Sequence, residues 1–139
     1  MPGTYVDVGA MAVVKDAKKV AMKYASGAQK LMRDAATSAI RADASFTPDK
    51  SGSPKGFAVD ATLTEVTFGT LQGQPAVTCK MNGTVATYPQ NKLLTAGLNG
   101  SATIGGGTSD RDVNDCIKEA MKATMTKSVL PFLRKQPKP

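Results

Sequence analysis

From Pro75 to Tyr88 the chain alternates, with Val77, Cys79, Met81, Gly83 and Val85 at odd positions and Thr78, Lys80, Asn82 and Thr84 between them. A two-residue period of this kind predicts a strand with one buried face. Leu93 to Ile104 repeats the logic on the other parity, setting Leu94, Ala96, Leu98, Ala102 and Ile104 against Thr95, Asn99, Ser101 and Thr103. The short link from Tyr88 to Lys92 carries Pro89 and Asn91, which predicts a turn and antiparallel pairing. Gly105, Gly106 and Gly107 end the second strand, and a helix follows at once. Thr108 or Ser109 can cap it, Asp112 stands three residues after Ser109 in a capping-box position, and Asp110, Asp112 and Asp115 place negative charge at the positive end of the dipole. Lys122, Lys127, Arg134 and Lys135 gather toward the other end. Val113, Cys116, Ile117, Ala120, Met121, Thr124 and Met125 form one apolar stripe, and Pro131 predicts an end or kink near Val129.

Upstream, Tyr5, Val6 and Val8 alternate around Asp7 and predict a first strand within Thr4 to Val14. From Val14 to Ile40 the apolar residues keep a helical period, which Ser26-Gly27 interrupts. One long helix fits this pattern, as does a helix from Gly27 to Ala42 capped by Ser26 and preceded by a loop from Lys15 to Tyr24. Leu31 to Ile40 is helical in either reading. Thr47 to Gly56 is a polar Pro/Gly/Ser loop. Phe57, Val59, Ala61 and Leu63 then predict a further strand, with Val66 and Phe68 on the opposite parity, as a bulge at Thr64 or Glu65 would produce. Gly69 to Pro75 is read as the hairpin to the Cys79 strand. The order β-α-β-β-β-α predicts an α+β two-layer sandwich: a four-stranded, mainly antiparallel sheet with two helices on one face.

At 139 residues the chain is read as a single domain over 1–134 with a flexible basic tail at 135–139. The core must be built from Ala, Val, Leu, Ile and Met, since there is no Trp. A formal charge of +7 and a pI near 9.5 suit anionic partners or simple solubility. Lys15, Lys18, Lys19 and Lys23 are the candidate contact residues; Tyr24 is the only aromatic near them, and the strands offer Thr and Asn where an RNA-recognition sheet displays aromatics. No apolar run is long enough to cross a bilayer, and no signal peptide is visible. Met1-Pro2-Gly3 reads either as a native start or as a methionine added to a fragment whose leader was removed.

Cys79 and Cys116 lie on faces that both patterns turn inward. They read as a disulfide closing a loop of about three dozen residues, or as two ordinary buried thiols. The pairing is the expectation, because Thr-, Ser-, Gly- and Asn-rich strands suit an oxidising compartment. Without any histidine, imidazole catalysis, the usual serine triads and His-metal sites are excluded. The cysteine spacing matches neither a zinc ribbon nor a thioredoxin motif. Gly105-Gly106-Gly107 lacks the lysine of a phosphate loop, and Asp110-x-Asp112-x-Asn114 starts like a calcium loop but has Asp115 where glycine is required and Met121 where the bidentate glutamate belongs. No catalytic residue, metal or cofactor is expected.

Tyr5 to Val8, Phe57 to Thr67, Val77 to Thr87 and Leu98 to Ile104, with helices beginning near Gly27 and Ser109, follow one another in an order that resembles small envelope domains. Such domains occur in lipoprotein activators of penicillin-binding proteins and at the amino terminus of the Tol-Pal propeller protein. The resemblance implies the sandwich and a periplasmic or secreted location; it carries no binding residue and does not imply the cysteine pair. The expected function is that of a non-enzymatic envelope or secreted domain binding a protein partner in an envelope assembly, through exposed sheet edges or the lysine segment. A basic nucleic-acid-binding module and a subunit of a larger structural assembly are the alternatives.

Overall fold

The computed structural model describes residues 3–14, 24–52 and 54–139. Along the chain it contains β1 (Thr4–Val13), α1 (Ala25–Arg41), β2 (Phe46–Thr47), β3 (Gly56–Leu71), β4 (Gln74–Tyr88), β5 (Leu93–Gly105) and α2 (Asp110–Ala123), then a π-helical turn (Thr124–Val129) and α3 (Leu130–Arg134). The strands form one curled sheet in the order β2-β1-β3-β4-β5. This corrects the expectation of four mainly antiparallel strands: the described residues form five, and β1 runs parallel to both β2 and β3. The reason is the connection. A helix stands between β1 and β3, and a crossover of that length returns the chain alongside in the same direction. β2 is only two residues long and escapes any periodicity argument.

The alternation in β4 holds, with Val77, Cys79, Met81, Gly83 and Val85 all buried. They meet Val59, Leu63 and Val66 of β3 and, from the helices, Met32, Ala36, Ile40, Ile117, Met121 and Met125, in one core on one face of the sheet. The β3 bulge falls between Leu63 and Glu65, where Thr64 Oγ donates to the Lys80 carbonyl at 3.0 Å. The hairpin that follows is tighter than Gly69 to Pro75. Pairing continues to Leu71–Gln74, and Gln72 and Gly73 alone make the turn with φ of 52° and 78°. In β5 the alternation holds only from Leu98 onward; Leu94 and Ala96 are exposed, because Gly97 at φ 88° interrupts the pairing.

The helix ends also differ in part. α1 begins at Ala25, so Ser26 lies inside its first turn and Tyr24 takes the cap position without a side-chain cap bond. The choice between loop and helix for 15–23 lies outside the described residues. α2 starts as expected: Ser109 Oγ accepts from the Asp112 amide, and the Asp112 carboxylate accepts from the Ser109 amide at 2.9 Å. The Ser109 hydroxyl, donating to that carboxylate at 2.6 Å, and then the Ser109 amide hold the Asp112 carboxyl below its ordinary range. Pro131 does not stop the helix. It lacks the amide that would bond back one turn and crowds that turn's carbonyl, and the backbone answers with the π turn before resuming as α3 with Pro131 in its first turn. Residues 135–139 follow α3, with the Lys135 and Gln136 amides bonded back to Phe132 and Leu133.

Candidate functional site

The two edges of the sheet are built differently. At the β1 side, β2 covers only Thr4 and Tyr5, and a bulge between Val8 and Met11 breaks the pairing register. That bulge lies in the pairing with β3, where Asp60 of β3 accepts the Ala10 amide at 2.8 Å, and Arg33 of α1 donates to the Val8 and Gly9 carbonyls at 2.8 and 2.9 Å. Bulges, short strands and charge are the devices that stop an edge from adding strands.

The β5 edge has none of the charge. Its thirteen residues include no Lys, Arg, Asp, Glu or Pro, and among the described residues no strand lies beyond it. The Gly106 amide bonds the Pro75 carbonyl at 2.9 Å, which fixes the phase of the β4–β5 ladder. Gly100, Ala102 and Ile104 therefore bond inward to β4, while Asn99, Ser101, Thr103 and Gly105 turn their amides and carbonyls outward. Of these groups the Asn99 carbonyl is taken by the Ser128 hydroxyl at 2.7 Å. Half-exposed apolar side chains flank the row. Leu93 and Leu94 are 63% and 36% exposed at its start, and Phe68 and Leu71 are 51% and 45% exposed on the hairpin strand whose tip reaches its end. A methyl group on Gly105 would meet Leu71 Cδ2 at 3.4 Å, which puts the hairpin beside the end of β5.

On the face away from the helices, Thr62, Thr78, Lys80, Asn82, Ser101 and Thr103 make a mostly hydroxyl surface, with Thr78 and Thr103 bonded at 2.9 Å. At its β1 end Tyr5 and Tyr88 meet edge to face at 5.0 Å, across Gly56, the residue that pairs with both. Lys50 Nζ lies 5.6 Å from the Tyr88 ring centre, and an open cleft of about 380 Å³ runs past Lys50, Lys55, Tyr88 and Gln90. The Tyr5 hydroxyl donates to Asp7 at 2.8 Å; burial first, then the Asp7 bond and charge, push it from 10.0 up to about 12. The folded state thus favours the neutral phenol. Its contribution to stability is whole below pH 10 and disappears as pH rises to about 12. Denaturant midpoints measured from pH 9 to 12 are expected to fall more steeply for the parent than for Tyr5→Phe; parallel curves would remove the buried-phenol reading.

Cys79 in β4 and Cys116 in α2, separated in sequence by β5, are brought together with neither exposed to water, and both are free thiols here. The Cys116 sulfur lies 3.4 Å from the carbonyls of Val77 and of Ala102. Its contact with Cys116, and then burial, push the Cys79 thiol up, while the Cys79 thiol pulls Cys116 down. Lys15, Lys18, Lys19 and Lys23 lie outside the described residues. Among the described residues no three metal-ligating side chains come together, and no helix is long and apolar enough to cross a membrane. Sequence reasoning missed the Tyr5–Tyr88 corner, although both residues sit at outward positions of their strands.

No protein-family model and no curated protein matches the sequence. Solved structures do match. A hypothetical protein from Chlamydia trachomatis superposes with a TM-score of 0.63 at 10% identity, over 96% of this chain and 99% of that one. A PelC dodecamer from Paraburkholderia phytofirmans gives 0.53 at 11% identity, over 97% and 89%. A candidate lipoprotein from Caulobacter crescentus gives 0.50 at 11%, over 91% and 92%. What is shared is the fold. One of these neighbours is described as a lipoprotein; a likeness to penicillin-binding-protein activators or to the Tol-Pal propeller protein is not shown.

Proposed function

We propose that this chain is a non-enzymatic domain of the cell envelope, periplasmic or secreted, that acts by binding protein through its open β5 edge. One observation carries the reading: a thirteen-residue edge strand without charge, with exposed Leu93 and Leu94 at its start and Leu71 beside its end. Backbone groups on such an edge pair readily with an added strand, and the apolar flanks give that strand something to pack on. The fold neighbours support the compartment and the mode of action, since one is described as a lipoprotein and another as a dodecamer. The absence of histidine supports the non-enzymatic part, as do carboxylates engaged at Ser109, Arg41 and Ala10. In an oxidising compartment Cys79 and Cys116 form the disulfide that their placement suggests.

The test is a photoreactive residue at Thr103, with the same residue at exposed Gln29 on α1 as control, illuminated in cells of the native source after fractionation. A discrete protein adduct from Thr103 alone, in the envelope fraction, is the expected outcome. Equal labelling from both sites, or none from Thr103, sinks the edge reading; recovery in the cytosol sinks the compartment.

A further inference from the structure

We infer that the tip of the β3–β4 hairpin is a membrane contact, dipping Phe68 and Leu71 into the headgroup boundary of a lipid surface; this goes beyond the edge reading above and does not depend on it. The hairpin stands clear of its neighbours at this end. Among the described residues β1 leaves β3 at Leu63, and the β4–β5 ladder closes at Ala76 and Gly105, with the Gly106 amide on the Pro75 carbonyl. From Thr67 to Pro75 every residue is exposed.

The apolar side chains of the tip point to lipid because of the faces they occupy. Paired residues of a ladder share a face, and successive residues of a strand alternate. Phe68 pairs with buried Val77 and so lies on the helix side of the sheet. Leu71 reaches the position of Gly105, which pairs with Ala76, and so lies on the opposite side. A protein docking on the sheet would cover one face. A bilayer surrounds whatever enters it, so an inserted tip has to be apolar on both, and here the two faces carry a Phe and a Leu that are 51% and 45% exposed.

Charge and backbone set the depth. No residue from Val66 to Cys79 is charged, although the chain carries +7. Glu65 and Lys80, which bound that run, pair with each other at 3.2 Å at the base of the hairpin. Pairing through Leu71–Gln74 keeps the inward backbone groups bonded up to the turn, as a water-poor medium requires. The groups on the outer edge of β3 still need water, and Asp110 and Arg111 open α2 soon after Gly106, so the tip enters no further than the boundary layer. From Phe68 to Leu71 a strand rises about 10 Å, close to the roughly 5–10 Å to which interfacial segments bury themselves.

The experiment is flotation of the full chain with phosphatidylcholine vesicles, and with mixed phosphatidylcholine and phosphatidylglycerol vesicles beside them. The parent is expected to float with both and to stay bound in high salt, which screens charge and leaves apolar insertion intact. Phe68→Ser and Leu71→Ser should each raise the lipid needed for half-binding by roughly tenfold, with melting curves confirming that these exposed sites leave the fold intact. Since the chain has no Trp, Phe68→Trp and Leu93→Trp each supply a single reporter. On vesicles with brominated acyl chains Phe68→Trp should shift to the blue and be quenched, while Leu93→Trp, at the other end of the sheet, should do neither. A parent that does not float, that floats only with phosphatidylglycerol or only at low salt, or that binds as well with both serines overturns the inference, as does equal quenching of the two reporters. A protein adduct from a photoreactive residue at Leu71, without flotation, would assign the tip to a protein instead. The Thr103 photoadduct bears on the edge alone, so either reading can fail while the other stands.

Discussion

Gly100→Ala is expected to lower stability by about 3 kcal/mol, with a melting temperature roughly 10 °C below the parent for a chain of this length. The space explains the size of the effect. A methyl group at Gly100 would sit 2.1 Å from the Thr124 hydroxyl and 2.6 Å from both the amide nitrogen and Cα of Thr124. A side chain could swing away, but backbone cannot. The π turn that follows from Pro131 is pressed onto β5 at this point, and Thr124 is fully buried there with its hydroxyl returned to the Ala120 carbonyl at 2.8 Å. Removing the hydroxyl with Thr124→Ala should therefore rescue Gly100→Ala only in part. Two other glycines calibrate the result. A methyl at Gly83 meets its neighbours at 3.4 to 3.5 Å, so Gly83→Ala is expected to cost about 1 kcal/mol or less. Gly27 lies in α1 with nothing within 4 Å, so Gly27→Ala should stabilise by about 0.5–1 kcal/mol. Melting curves of the three variants should then rank Gly100, Gly83, Gly27 from least to most stable. A Gly100→Ala chain as stable as the parent would mean that the helix end does not rest on β5.

What the sequence made legible were features that act over a few residues. The alternation of β4 could be read because one face is buried along its length, the bulge beside Thr64 because it reverses the parity of Val66, and the α2 start because Ser109 and Asp112 cap each other. What stayed hidden depends on distant parts of the chain. The parallel pairing of β1 follows from the crossover through α1, and β2 exists only because Phe46 and Thr47 arrive beside Thr4 and Tyr5. The candidate site belongs to this second kind. The lack of charge from Leu93 to Gly105 is visible in the letters, but that β5 is an edge is a property of strand order. The cysteines fall between the two. Their inward positions were readable from local period, and the meeting of their sulfurs required α2 to lie over β4 and β5.

Reduction of the protein recovered from its native source is expected to lower its stability by roughly 4 kcal/mol, the loop-entropy value for a bridge spanning about three dozen residues. The bond would tie α2 to the middle of the sheet, so its loss should be felt across the C-terminal half. Both sulfurs are shielded from water in the fold, so a small disulfide or reductant reaches them only when α2 lifts. Closure then takes two thiols and one external disulfide to one internal disulfide and two external thiols. Thiol titration should accordingly find no reactive sulfur in the native or the denatured oxidised protein, and two in the denatured reduced one. The reduced folded protein should react slowly, at the rate of opening. Denaturant curves with and without reductant measure the stability difference, and Cys79→Ala with Cys116→Ala should abolish any response to reductant. Two titratable thiols in denatured protein taken from its source without reductant would sink the crosslink, and with it the chemical argument for an oxidising compartment. The packing of α2 on β4 and β5 would then stand on burial of Val113, Cys116, Ile117, Ala120 and Met121 without a covalent tie.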